Sequence, residues 1–239
     1  MPASDRPRIE DALRIRQWTL RTFSSPDATP PTCSAATWKL FLGAERCALP
    51  LKNVLVKHDK WREIPPEVQQ LIDATAVREL QEVLSARATL AEIDRLARSL
   101  SLDVVVLKGG VAALSQSNAV ALADIDVLTV PSEAQVLAAR LDEAGYASHG
   151  GGSHQHLSKR IAPETLPIEI HATLILQREQ WLEIAWKRLT PLDGMTVLKR
   201  LSPLDHLWHL LIHVVVQHPF RAAAIRDLLL IGDAADECS

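Results

Sequence analysis

The chain predicts an α+β fold: a small mixed β-sheet core with helical parts before and after it. Three observations carry this. The first hundred residues place apolar side chains at helical spacing and contain a single glycine, Gly43. Residues 102–107 (LDVVVL) form a β-branched apolar run interrupted only by Asp103, the mark of a buried strand. Residues 124–130 (DIDVLTV) and 166–174 (LPIEIHATL) alternate in the manner of strands with two different faces. The organisation that follows is an N-terminal helix and Pro-rich linker (1–33), a helical region (34–100), a sheet core (101–175) and a C-terminal helical region (176–239).

In chain order, Ile9 to Phe23 is an amphipathic helix, and three prolines between Ser24 and Ser34 break it. Ser34 to Leu49 is expected as one further helix, and Pro65 to Leu100 as two helices or one long kinked one. Gly109-Gly110 ends the first strand, and Val111 to Ser117 has the look of a helix start. Ser132, with Gln135 as capping-box partner, is expected to open a helix running to about Gly145. A glycine-rich loop, His149 to Ser153, leads into a short strand from His154 to Arg160. Ser202-Pro203-Leu204-Asp205 caps a later helix, and Arg221 to Ala235 forms the last.

Composition narrows the function classes. Of 239 residues, 47% are apolar and 23% charged, so the chain is an ordinary globular one. Lys plus Arg number 26 against 29 Asp plus Glu. That balance argues against bulk nucleic-acid binding, which needs clustered positive charge. Residues 101–239 hold eleven basic and sixteen acidic residues, so the half with the strands is the acidic one. Cys33, Cys47 and Cys238 form no metal-ligand pattern and no disulfide framework. The charged N-terminus lacks a signal peptide's apolar core, and no apolar run is long enough to span a bilayer. The expectation is a cytoplasmic protein.

The chemistry gathers at Lys108-Gly109-Gly110, then, after thirteen residues, at Asp124-Ile125-Asp126, and later at Glu169. Side chains alternate across a strand, so Asp124 and Asp126 share a face while Ile125 and Val127 take the other. Two adjacent carboxylates repel unless a cation lies between them, and hard oxygen ligands of this kind suit Mg²⁺. Glu169, between two isoleucines, shares a face with His171 and can project toward the same centre. His171 itself is expected to be a hydrogen-bonded structural group. At Gly109-Gly110 a strand turns into a helix, where free amides favour an anion and absent side chains let a phosphate approach. His206, His209 and His213 lie along one helix face; packing with hydrogen bonds is the expectation for them rather than a metal site.

These residues resemble the nucleotidyltransferase fold, whose signature is Gly followed by Gly or Ser, a short spacer, then Asp, an apolar residue, and Asp or Glu. More narrowly, VVLKGG, ADIDVL and IEIHATL, followed by a helix with His213 and by Arg226-Asp227, resemble an uncharacterised bacterial nucleotidyltransferase family. The resemblance implies that Asp124 and Asp126 hold the metal and that Glu169 is the third carboxylate. It implies that Gly109 and Gly110, with Lys108 beside them, hold nucleotide phosphates. The implied reaction transfers a nucleoside monophosphate, AMP by default, from an NTP to an unidentified acceptor with one or two Mg²⁺ ions. The acceptor is a small molecule, a peptide or protein, or an RNA end. Two departures stand out. Gly110 replaces the serine common in the wider superfamily, and Val120 to Ala123 lacks the arginine that relatives carry before the carboxylate pair. Lys108, Lys159 and Arg160 are the candidates to supply that positive contact. The alternatives are a nucleotidyltransferase-like binding or regulatory protein, and a kinase using the same site.

Overall fold

The computed structural model describes residues 9–26, 29–114, 120–149, 154–159, 166–174, 179–217 and 223–239. The expected Gly150–Gly152 loop and Arg160 lie outside these residues. The N-terminal part is α1 (Ile9–Ser24), α2 (Ala35–Glu45), α3 (Ala48–Lys57) and α4 (Pro66–Leu100). Where the sequence predicts one helix over Ser34 to Leu49, two are found. Arg46 takes a left-handed conformation (φ 49°) that ends α2, and Pro50, lacking an N–H, cannot continue the α2 hydrogen-bond ladder. The buried Glu79 carboxylate accepts the freed amides of Ala48 and Leu49 at 3.2 and 2.7 Å. The longer segment is a single 35-residue helix. It has no glycine or proline after Pro66, so nothing in it forces a kink.

The sheet is mixed, with strand order β3-β4-β5-β2-β1-β7-β6. Its strands are β1 (Val105–Val106), β2 (Ile125–Leu128), β3 (Tyr146–His149), β4 (His154–Lys159), β5 (Ile168–His171), β6 (Thr190–Pro191) and β7 (Lys199–Arg200). The first strand is shorter than the apolar run suggests. Ser101 is a left-handed helix cap and the Leu102 amide returns to Ala97, so the run's first residues belong to the end of α4. Between strands lie α5 (Lys108–Leu114), α6 (Pro131–Glu143) and α7 (Glu179–Lys187); α8 (Pro203–Ile212) and α9 (Ile225–Asp236) close the chain. The capping box expected at Ser132 does not form. Pro131 is the first helical residue, and Glu133 instead accepts from Thr129 Oγ1 and the Asp103 amide, both at 3.1 Å. Ser202 caps α8 as expected, accepting from the Asp205 amide.

Two apolar cores organise this. One joins α1, α2, α3 and the first half of α4 around Trp18, Trp38, Leu51 and Ile72, and takes in Ile225 at the start of α9. The other packs the second half of α4 and α6 onto one face of the sheet, through Ile125, Val127, Ile168 and Ile170. Burial of side chains of this size contributes roughly 1.5–3 kcal/mol each. A one-residue slip of β2 or β5 would carry them to the opposite face, so this core fixes which face bears the carboxylates.

Candidate functional site

Parallel pairing of β2 with β5 sets the centre of the site. The register puts Asp126 opposite Glu169 and Leu128 opposite His171. With the isoleucines and Val127 turned into the core, Asp126, Glu169 and His171 share the other face. Their side chains interlock: His171 Nε2 lies 2.8 Å from Asp126 Oδ1 and 3.3 Å from Glu169 Oε2. Lys108 Nζ donates to the same Asp126 Oδ1 at 3.0 Å.

Lys108 reaches this position from the turn between β1 and α5. Its backbone is left-handed (φ 46°), an uncommon state for a lysine that persists where surrounding contacts hold it. The Gly110 amide closes the turn on the Leu107 carbonyl at 3.1 Å, and the buried His206 ring lies beside the Lys108 backbone.

The electrostatics follow from this crowding. Burial alone would raise the Asp126 carboxyl, but the His171 hydrogen bond and the Lys108 ammonium outweigh it and hold Asp126 well below the usual carboxylate range. Asp124, just ahead of β2, is shifted the other way, by burial first and then by the Asp126 charge, with Lys108 opposing. His171 is raised: burial works against its charged form, but its bonds to Asp126 and Glu169 prevail. One ionised carboxylate is thus bracketed by the His171 ring and the Lys108 side chain, while its neighbour holds its proton more tightly.

Among the described residues, Asp126, Glu169 and His171 form the one group of three whose ligand atoms could share a metal ion, all lying within 4.8 Å of one another. Two carboxylate oxygens and an imidazole nitrogen suit a divalent ion such as Mg²⁺ or Mn²⁺. Asp124 stands outside this cluster but lines the same cavity, of about 220 Å³, together with Lys108, Gly109, Asp126 and Glu169.

The two glycines separate. Gly109 lines the cavity, and a Cβ there would lie 3.0 Å from Leu122 Cδ2. Gly110 is buried, and a Cβ there would lie 2.7 Å from Val106 Cγ1. Close packing of α5 on β1 therefore requires the second glycine. His206 and His209 are buried, and burial pushes them down to about 4 and about 3, which keeps both neutral. His213 opens a π-helical turn after α8 and lines the cavity.

Sequence reasoning gives His171 a structural role; it is hydrogen-bonded as expected, but its partners are the site carboxylates themselves. The cavity also contains Arg226 and Asp227 from α9, to which sequence reasoning assigns no site role. The signal available is an Arg-Asp pair at the start of an apolar helix, and nothing local in the sequence points that helix at β2.

A mixed sheet with Asp126 on one strand and Asp124 just ahead of it, a third carboxylate on the parallel neighbour and a glycine pair in the first turn of the helix after β1 is in keeping with the arrangement that the nucleotidyltransferase resemblance implies. Residues 43–232 match the model of a family described as uncharacterised nucleotidyltransferase, and the chain belongs to that family. Among solved structures it is similar to an antigenic nucleotidyltransferase-like protein from Paracoccidioides brasiliensis. The two are 16% identical, with a TM-score of 0.42, over 64% of this chain and 76% of that one. No curated protein matches the chain. No described helix is long and apolar enough to cross a membrane.

Proposed function

We propose that the protein transfers a nucleoside monophosphate, AMP by default, from an NTP to an acceptor hydroxyl or phosphate and releases pyrophosphate. The observation that carries this reading is the Asp126–Glu169–His171 cluster, whose two carboxylates share one cavity with Asp124, in a family member. Asp126, Glu169 and His171 would hold a divalent ion, Mg²⁺ being the expectation, and Asp124 would complete the set for a second. Such ions, when bound, neutralise charge on the attacking and leaving oxygens of an in-line displacement.

The chain's own groups do the rest. Glu169 keeps 19% side-chain exposure, so it can meet an incoming acceptor and take its proton. Lys108 balances Asp126 until substrate charge arrives. Gly109 leaves the cavity floor without a side chain, so a phosphate can approach the backbone. The acceptor is a small molecule or a peptide or protein; the overall charge of -3 weighs against a long nucleic acid.

The test incubates purified protein with each of the four NTPs and Mg²⁺, follows pyrophosphate release, and searches candidate acceptors for added nucleotide by mass spectrometry. Asp126→Asn, with wild-type circular dichroism, is expected to lose the activity. Undiminished NTP turnover by that folded variant would overturn the assignment. A nucleoside diphosphate product in place of pyrophosphate would mean a kinase.

A further inference from the structure

The cavity's charges do not balance for an anionic substrate. Among the described residues, its lining carries four carboxylates, Asp124, Asp126, Glu169 and Asp227, and two permanent cations, Lys108 and Arg226. Lys108 already donates to Asp126 at 3.0 Å. The cation expected ahead of the carboxylate pair is absent, for Ala121, Leu122 and Ala123 line the wall there.

Arg226 is the second residue of α9 and keeps 21% side-chain exposure. Its Nε and Nη2 both donate to Asp227 Oδ1, at 3.0 and 2.7 Å. A guanidinium has five N–H donors, and this pairing uses two. The backbone that presents it is fixed from behind. The Ile225 amide donates to Glu45 Oε2 at 2.7 Å, and Ile225 is fully buried in the N-terminal helical core. Glu45 is paired with Arg16, which also donates to the Ala223 carbonyl. The N-terminal helices thus hold the base of α9 while the Arg226 side chain faces the cavity.

We propose that Arg226 is the polyphosphate-binding cation of this site, exchanging or sharing its Asp227 contact for phosphate oxygens when an NTP enters. The inference rests on the nucleotide reading above and adds to it the residue that supplies the missing positive contact. A planar fork of donors matches phosphate oxygens two at a time, which a lysine ammonium cannot do. Asp227, 5% exposed, occupies two of the fork's donors and so competes with phosphate oxygens for them.

The experiment titrates wild type, Arg226→Met, Arg226→Lys and Asp227→Asn with Mg²⁺-tripolyphosphate and Mg²⁺-ATP by calorimetry, and measures Mn²⁺ binding separately by electron paramagnetic resonance. Arg226→Met is expected to lose about 10- to 100-fold in tripolyphosphate affinity, the range for a charge-assisted hydrogen bond, with Mn²⁺ affinity unchanged. Arg226→Lys should recover only part of the loss. Asp227→Asn keeps the cation and loosens its partner, so its affinity should equal or exceed that of wild type. Wild-type affinity in Arg226→Met overturns the proposal and leaves the nucleotide reading standing. A fall in Asp227→Asn as large as in Arg226→Met also overturns it, because the pair would then act only as structure. Absence of Mn²⁺ and nucleotide uptake by the wild type would remove both.

Discussion

The two walls of the cavity are built on different principles. The sheet wall, Asp126 and Glu169 with His171 bonded to both, stands on paired strands whose opposite faces are locked by Ile125, Val127, Ile168 and Ile170. The helix wall, Lys108, Arg226 and Asp227, stands on the first residues of two helices, and its groups bond to single carboxylate oxygens. A sheet face holds ligand atoms at fixed spacing, which a metal requires. A long cationic side chain at a helix start can change partners at little cost, which suits a substrate that arrives and leaves. The sheet wall therefore reads as the fixed half of the site and the helix wall as the exchangeable half.

The largest effect expected from this contrast is on the fixed half. Asp126→Asn removes the charge on which Lys108 and His171 converge and should weaken Mn²⁺ binding by more than the roughly 10- to 100-fold that loss of an outer partner costs. Glu169→Gln, at the more exposed end of the cluster, should weaken it less. Mn²⁺ titrations of both variants check the order. Equal losses, or a larger loss in Glu169→Gln, would mean that Asp126 is not the centre of the fixed wall.

The sequence points to the carboxylates of the fixed wall but, of the other wall, assigns a site role to Lys108 and none to Arg226 and Asp227, and the reason is physical. Strand alternation is a period-two rule acting over a few neighbouring residues, so Ile168-Glu169-Ile170 and Ile125-Asp126-Val127 declare their faces locally. What is not legible is the pairing of distant segments. Nothing near Arg226 says that Glu45, 180 positions away in sequence, accepts the amide at the base of its helix and aims it at β2. The same limit explains the two-residue strands β6 and β7, which come from pairing and not from propensity: β7 pairs with β1, and β6 with β7. It also explains α7, which covers the sheet's other side through Ala185 and Trp181. Where local rules fail, at Arg46 and at Ser132, a proline nearby decides the helix boundary.

Next in size is an acid-side loss of stability from the helix that backs the exchangeable wall. His206 faces Glu237, Arg200 and the Lys108 backbone; His209 faces Lys108, His206, His213 and Asp126. Both are buried and neutral, with values near 4 and 3 against an ordinary 6.5. Below pH 6.5 the unfolded chain binds protons at these positions and the folded chain does not, so stability falls as pH drops toward 4 and is flat with respect to these groups above 6.5. A tenfold difference in proton affinity between the folded and unfolded chain is worth about 1.4 kcal/mol, so each histidine costs about 2 kcal/mol by pH 5. Urea midpoints at pH 7, 6 and 5 should decline, with a shallower decline in His209→Gln. A midpoint that does not move between pH 7 and 5 would contradict the burial of this pair.

The smallest effects distinguish the two glycines, and they do so in kind as well as in size. A methyl group at Gly110 would meet Val106 Cγ1 at 2.7 Å, inside the packed interface of α5 and β1. Val106 is itself fully buried, so neither side can yield freely, and overpacking of this sort costs about 1–3 kcal/mol. Gly110→Ala should therefore lower the urea midpoint while leaving tripolyphosphate affinity, measured on the folded fraction, near wild type. At Gly109 the methyl would meet only the end of the Leu122 side chain, at 3.0 Å, and it would stand on the cavity floor. A leucine tip can turn aside where a packed strand cannot, so Gly109→Ala should barely change stability. Its cost should appear in affinity for tripolyphosphate, because the phosphate loses its approach to the backbone. Paired midpoints and titrations of the two variants decide the matter. If Gly109→Ala binds tripolyphosphate as wild type does, the floor of the cavity is not where the phosphates rest, and the glycine pair serves the packing of α5 alone.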